Sequence, residues 1–490
     1  MASDIIAAMR FVAWIAALAV VLVPRAFGQS SPQVVPLPDL GGGETVLSPQ
    51  LERRIGESIM REIRFRDPTY LDDPEINDYL TALGSQLAGS RQDLEFFGIK
   101  DNSINAFALP GGYIAAHTGL IATAETESEL ASVLAHEVSH VTQRHIARMI
   151  SQQQQMQVPM MVALAAAILL GRSRPDLAMG AAAGAQAAGI QSQLSYSRDF
   201  EREADRIGIQ RLDEAGFDAH AMAAFFERMQ RGSRVSEDST MPGYFRTHPV
   251  TSERIADVQN KAATMPYRQH YDSPEFQLVR AKIRGEAGDP RDAARSFEMA
   301  LGEHRFATEG SARYGLAIAL LRADKPREAQ AQIERVRALG TASPMVETLA
   351  ARIRTALRDN AGAAAILAKA RDRYPYSRAV DYAYIGALQD AGKNDQALAA
   401  LRDSILKYPR DARLYGMQAK TYATLGKRLL QHQAQGELYV LQGSLPAAIE
   451  QFSLARVAGD GDFYQLSVID ARLKELRAQY SQELKEAKRN

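Results

Sequence analysis

A spacing restricts the fold of this chain more than any other feature. From about Phe276 onward, a turn residue followed five positions later by alanine recurs at Gly288/Ala293, Asp324/Ala329, Asp359/Ala364 and Gly392/Ala397, in steps of 36, 35 and 33 residues. Gly426 comes 34 residues after Gly392, and the pairs Tyr374-Pro375 and Tyr408-Pro409 are also 34 apart. A period near 34 with small residues where two helices would cross is the pattern of tetratricopeptide repeats, in which each helical pair buries its apolar face only against its neighbours. Residues 271–490 are therefore expected to form an α-helical solenoid, with an irregular helical domain as the alternative. The register is expected to drift after Gly426, because Gly443/Ala448 follows only 17 residues later.

The rest of the chain needs a core of its own. With 490 residues, 46% of them hydrophobic, there is enough apolar surface for more than one. The 58 basic and 58 acidic side chains cancel, so no electrostatic footprint for nucleic acid is present and none is expected as a partner. No cysteine occurs, which excludes disulfides, a thiolate nucleophile and Cys-ligated metal. Any metal must sit on His, Asp or Glu.

At the N-terminus, Arg10 precedes an apolar run from Phe11 to Val23, then Pro24 and Ala26-Phe27-Gly28. This order reads as a cleavable export signal over 1–28, with an uncleaved anchor as the alternative. Residues 29–50 are rich in Pro, Gly and Ser and should form an extended lead-in. Over 51–270 the periodicity predicts two helices before residue 90, broken at Asp67-Pro68, and then a small sheet from Leu94–Ile99 and Ile104–Ala116 with a turn at Pro110-Gly111-Gly112. A long helix starts near Glu125 and is expected to run on to the Gln-rich stretch at 152–157. The nearly uncharged stretch 158–190 that follows fits a hairpin dipping into a membrane surface, a cover over a cleft, or buried core. The expected architecture is mainly α with a small β-sheet.

Chemistry enters at His136-Glu137-Val138-Ser139-His140, an H-E-x-x-H inside a helix-periodic segment. Positions i and i+4 of a helix lie on one face, so both imidazoles can reach one Zn²⁺, while Glu137 at the edge of that face can take a proton from a water the metal has acidified. A third ligand should come from a second helix, and Glu201-Arg202-Glu203-Ala204-Asp205 supplies it. Glu201 would bind the ion, and Asp205, one turn on, would fix the N–H of a liganding histidine. Glu203 faces away from Glu201 on such a helix and is read as solvent-facing or salt-bridged. His145, half a turn off the face of His136 on a continuous helix, is set aside as a ligand, and His220 is read as a surface residue. Asn105, at the head of a candidate edge strand, could bond a substrate carbonyl or merely cap a turn. His248 is expected to approach the metal and hold the enzyme latent, and Arg254 to stabilise an oxyanion.

H-E-x-x-H followed by E-x-x-x-D about sixty residues later resembles the gluzincin peptidases related to the CAAX prenyl proteases. Together with the export signal, Asn105-Ala106-Phe107-Ala108, Pro110-Gly111-Gly112, Thr247-His248-Pro249 and the repeat tail, the chain is similar to the β-barrel assembly-enhancing proteases of the Gram-negative periplasm. That resemblance implies a zincin-type domain with one Zn²⁺ on His136, His140 and Glu201 and with Glu137 as base. It also implies action on unfolded or stalled outer-membrane proteins beside the barrel assembly machinery, while peripheral membrane contact is the expectation of the hairpin reading of 158–190. The competing reading is an assembly factor whose repeats act as a chaperone and whose metal site is mostly shut.

Overall fold

The first described helix begins where Ser48 caps it, the side-chain oxygen accepting from Leu51 N, with Pro49 opening the first turn. This computed structural model describes residues 47–89, 93–151, 198–235, 244 and 248–487. The expected export signal, the expected lead-in up to residue 46 and the hydrophobic stretch 158–190 lie outside the described residues.

Helix α1 (Pro49–Arg66) is followed by the two-residue strand β1 (Tyr70–Leu71) and by α2 (Pro74–Ala88), which Asp73 caps by accepting from Glu75 N and Ile76 N. Strands β2 (Glu95–Ile99), β3 (Ala106–Leu109) and β4 (Tyr113–His117) complete a sheet of order β1-β2-β4-β3. β2 and β4 run parallel and the other pairs antiparallel, so β3 is the last strand of one side. The β3–β4 turn uses Gly111 and Gly112 at φ +78° and +94°, a region closed to most side chains. α1 crosses that turn so closely that a Cβ on Gly56 would stand 1.9 Å from the Pro110 carbonyl oxygen.

After the short helix α3 (Thr118–Thr123) comes α4 (Glu127–Thr142), capped by Thr126 and carrying Glu127 and Glu129 in its first turn, where the helix dipole favours acids. α4 is buried on almost every side between the sheet and the helices that follow. It does not run on to residue 152 as its periodicity predicts. It ends at Thr142, Arg144 takes φ +55°, and α5 restarts over 145–151. Arg144 is held in this left-handed conformation by bonds from its guanidinium to the Leu47 carbonyl and the Glu52 carboxylate. Helix α6 spans 198–214, followed by Gly216 at φ +83°, and then α7 (Ala221–Val235) and α8 (Ser252–Ala263) complete this part.

Twelve helices follow: α9 (Pro274–Glu286), α10 (Pro290–Gly302), α11 (Glu309–Arg322), α12 (Pro326–Ala338), α13 (Pro344–Ala356), α14 (Asn360–Arg373), α15 (Arg378–Asp390), α16 (Asn394–Lys407), α17 (Ala412–Thr424), α18 (Arg428–Leu441), α19 (Leu445–Arg456) and α20 (Phe463–Ala487). The first helices of successive pairs begin 33 to 35 residues apart throughout. The expected drift after Gly426 is therefore corrected. Gly426 sits inside a pair, whereas Gly443 sits between α18 and α19, half a period on, and both turns need a left-handed residue (φ +70° and +72°). In the third pair that residue is Arg358, at φ +65°, and Asp359 instead caps α14 through Gly362 N.

The solenoid curves along α1 and α2. Lys282 of the first pair, buried, reaches Asp73 at 2.5 Å and Glu75 at 2.6 Å. Thr348 of the third pair also bonds Glu75, Arg378 of the fourth pairs with Asp78, and the Arg61 side chain lies against Gly443. One apolar core runs from α2, the sheet and α4 into the first three pairs. Among the described residues no helix is long and apolar enough to cross a membrane.

Because the Pro110 carbonyl leaves no room for a side chain at position 56, Gly56→Ala is expected to destabilise the fold by about 1–3 kcal/mol through overpacking. A thermal melt of the full chain that matched the wild type would contradict this close approach.

Candidate metal centre

The buried face of α6 crosses the buried helix α4. A Cβ on Gly208 would lie 3.2 Å from the His136 backbone nitrogen, tighter than side chains normally pack, so glycine lets the two backbones approach. One and two turns back along α6, Asp205 and Glu201 face the imidazoles of α4. His136 is fully buried, and Glu137, Glu201 and Asp205 nearly so.

Glu201 lies 3.4 Å from His136 Nε2 through one oxygen and 3.4 Å from His140 Nε2 through the other. The two Nε2 atoms stand 2.9 Å apart, a separation at which facing lone pairs repel unless a proton or a cation lies between them. His248 enters the same cluster, its Nδ1 2.9 Å from Glu201 Oε1 and 3.3 Å from His136 Nε2. One donor atom each from His136, His140, Glu201 and His248 lies within 4.8 Å of the others. Ligands at 2.0–2.1 Å in a tetrahedron are separated by about 3.4 Å, so the donor set fits a single divalent ion. Charge points the same way. Three buried carboxyl groups, Glu137, Glu201 and Asp205, face one guanidinium, Arg254, and a divalent cation would make up the difference.

The titration of these groups follows from that excess of acids. Burial would push the His136 imidazole down, yet the neighbouring Asp205 and Glu201 carboxylates outweigh it and lift it to about 10. Burial would raise Glu201, but His248, His136 and His140 hold its carboxyl well below the usual range. Burial and the nearby His136 keep His140 low.

Around the cluster the side chains are themselves held. Asp205 Oδ1 stands 2.9 Å from His136 Nδ1, on the side of the ring away from the cluster. Arg254 does not offer free donors to a reaction centre: Nε and Nη2 bond Asp205 at 2.7 and 2.8 Å, and Nη1 bonds the Pro249 carbonyl and lies 2.9 Å from Glu201. The structure thus brings Arg254, expected as an oxyanion stabiliser, into the site with all three nitrogens engaged by protein acceptors. Glu203 is salt-bridged, to Arg148 at 2.8 Å. His220 pairs with Asp218 near the surface, 3.1 Å away.

Two residues that spacing does not reveal complete the site. His145 brings its Nδ1 to 2.8 Å from His140 Nδ1, a position that a continuous helix would forbid and that the break at Arg144 permits. Tyr244, buried, stacks on His248 with ring centres 4.9 Å apart, and its backbone N donates to the Ile104 carbonyl just ahead of the edge strand β3. Asn105 lies at that point. Its Oδ1 is buried and has no hydrogen-bond partner among the described residues. The sequence signal for Tyr244 is only its place four residues before His248, where the His248 N–H donates to its carbonyl at 2.7 Å.

Comparison with known proteins places this geometry in context. Residues 71–262 match the model of peptidase family M48. The β-barrel assembly-enhancing protease of Escherichia coli is 32% identical over 471 residues, covering 94% of this chain and 95% of that one. A Vibrio cholerae relative is 39% identical over 304 residues, 60% of this chain and 62% of that protein. Among solved structures, a tetratricopeptide repeat protein from Parabacteroides merdae aligns with 51% of this chain and 98% of its own, at 16% identity and a TM-score of 0.29.

Removing the counter-charge should expose the cost of the buried carboxylates. Arg254→Met is expected to destabilise the metal-free protein by about 3–5 kcal/mol, read from urea unfolding. Asp205→Asn added to it should recover part of that loss, and strict additivity would show that the pair is not coupled.

Proposed function

The chain belongs to the β-barrel assembly-enhancing proteases of peptidase family M48, and from that premise we propose a zinc endopeptidase of the periplasm that serves outer-membrane β-barrel assembly and removes barrels that stall. The observation that carries the reading is the convergence of His136, His140, Glu201 and His248 beside the buried Glu137. Imidazoles with one carboxylate are the donor set that suits zinc.

In this reading His136, His140 and Glu201 hold the ion, and Asp205 fixes the ring of His136 so that Nε2 faces it. When bound, the metal supplies a Lewis acid and an acidified water. Glu137 takes the proton of the attacking water and returns it to the leaving amine. In support, its Oε1 is buried without a hydrogen bond among the described residues, with His248 Nε2 3.4 Å away. A polypeptide substrate lies as an added strand along β3, with Asn105 bonding one of its peptide groups. The solenoid presents unfolded or stalled outer-membrane proteins, which raises their local concentration at the cleft, next to the barrel assembly machinery.

His248 holds the enzyme latent in this proposal by filling the position the attacking water needs. Two facts support it: its ring sits among the donors, and its loop is tied through Tyr244 N to the Ile104 carbonyl, where a substrate strand would begin. An arriving strand would compete for that carbonyl and free the loop. The reading of the site as mostly shut and that of an active protease then describe two states of one molecule.

Glu137→Gln is expected to lower cleavage of an unfolded outer-membrane barrel at least about 100-fold while bound zinc, measured by elemental analysis, stays at one per chain. His248→Ala should raise basal cleavage. A Glu137→Gln protein that still cleaves would overturn the role of Glu137, and purified wild type free of metal would overturn the metalloenzyme reading.

A further inference from the structure

The catalytic helix stops one residue pair after its second histidine, at a backbone conformation that costs energy. Arg144 sits at φ +55°, where a long side chain is unfavourable, and it is held there by Leu47 and Glu52. The consequence is local and specific: the chain turns back, α5 begins with His145, and His145 Nδ1 comes to rest 2.8 Å from His140 Nδ1. His145 is 3% exposed and its ring stacks on Phe200, with centres 4.7 Å apart and planes at 16°. Its other nitrogen, Nε2, faces Glu203 Oε2 at 3.4 Å, and Arg148 donates to the same oxygen at 2.8 Å while lying over the Phe200 ring.

We infer that His145 is a positioning residue that sets the tautomer of His140. This rests on the metal-centre reading above and deepens it. Arg148 offers only donors, so it leaves Glu203 as an acceptor, and Glu203 holds the hydrogen of His145 on Nε2. The Nδ1 of His145 is then a bare acceptor, and only an N–H can face it. His140 must therefore carry its hydrogen on Nδ1, which leaves the Nε2 lone pair aimed at Glu201 and His136, as metal ligation requires. With the opposite order of hydrogens His140 would present an N–H to the cluster and could not ligate through it. At His136 the corresponding place is taken by a carboxylate, Asp205 Oδ1, which stands 2.9 Å from Nδ1 as a close ion pair rather than in hydrogen-bond geometry. The two ligands of one helix are thus oriented by two different devices, and the second exists only because the helix breaks. Glu203, on the far face of α6 from Glu201, becomes the anchor of this chain.

The test uses the full-length protein and measures the equilibrium dissociation constant for Zn²⁺ by competition with a chromophoric chelator, together with the visible spectrum of the Co²⁺ form. His145→Ala is expected to weaken Zn²⁺ binding about 10- to 100-fold and to change the Co²⁺ absorption, with the metal-free thermal melt reporting on folding. His145→Asn, whose Oδ1 can accept at the place of Nδ1, should recover most of the affinity, and Glu203→Ala should weaken binding to a smaller degree. If a folded His145→Ala binds Zn²⁺ within twofold of wild type, or if a folded His145→Asn is as weak as His145→Ala, the inference is overturned with the metal centre intact; should His145→Ala not fold, a folded His145→Asn that binds at least about 10-fold more weakly than wild type, or a Glu203→Ala protein within twofold of it, overturns the inference. Wild type that binds neither metal would overturn the centre itself, and this inference with it.

Discussion

The structure depends on the burial of three carboxyl groups, Glu137, Glu201 and Asp205, around one guanidinium and three imidazoles. Acids in such a place are costly unless paired, and the pairing here is dense: Arg254 spans Asp205, Glu201 and the Pro249 carbonyl, while the imidazoles surround Glu201. What remains is a need for positive charge at the point where the imidazole nitrogens converge. The crossing of α4 and α6 at Gly208, the break at Arg144 and the loop bearing His248 all serve that point.

A second set of buried charges ties the peptidase part to the solenoid. Lys282 is enclosed by Asp73 and Glu75 at the start of α2, and burial alone would lower its amine, but the two carboxylates keep it raised and charged. Farther along, Glu127 in the first turn of α4 accepts from Tyr79 Oη, from Ser273 N and from Ser273 Oγ. Ser273 is itself the cap of the first solenoid helix. The helix that carries His136 and His140 and the helix that opens the solenoid therefore share one carboxylate, so their relative placement is fixed by hydrogen bonds to a buried acid.

Much of this was legible in the chain because it depends on local periodicity. The turn inside each helical pair takes a left-handed residue, so Gly288, Asp324, Gly392 and Gly426 mark the solenoid, and the turn between the fifth and sixth pairs takes one too, Gly443, which spacing alone misassigns as drift. His136, His140, Glu201 and Asp205 are readable because i, i+4 spacing puts each pair on one face. The end of α4 was not readable. Residues 143–151 keep helical character, and what stops the helix is a contact from Arg144 to Glu52, 92 residues away.

The sequence by itself determined the elements and the chemical kind of the centre: two helices that bring histidines and carboxylates together, a small sheet, a repeat of helical pairs, and a donor set of histidine and carboxylate with no thiolate. Only the tertiary structure decided the use of the individual side chains. It spent Arg254 on Asp205 and Glu201 and placed His145 under His140. Helical periodicity acts over a few residues, whereas the partner of a buried charge is whichever opposite group the packing of distant segments brings within about 3 Å.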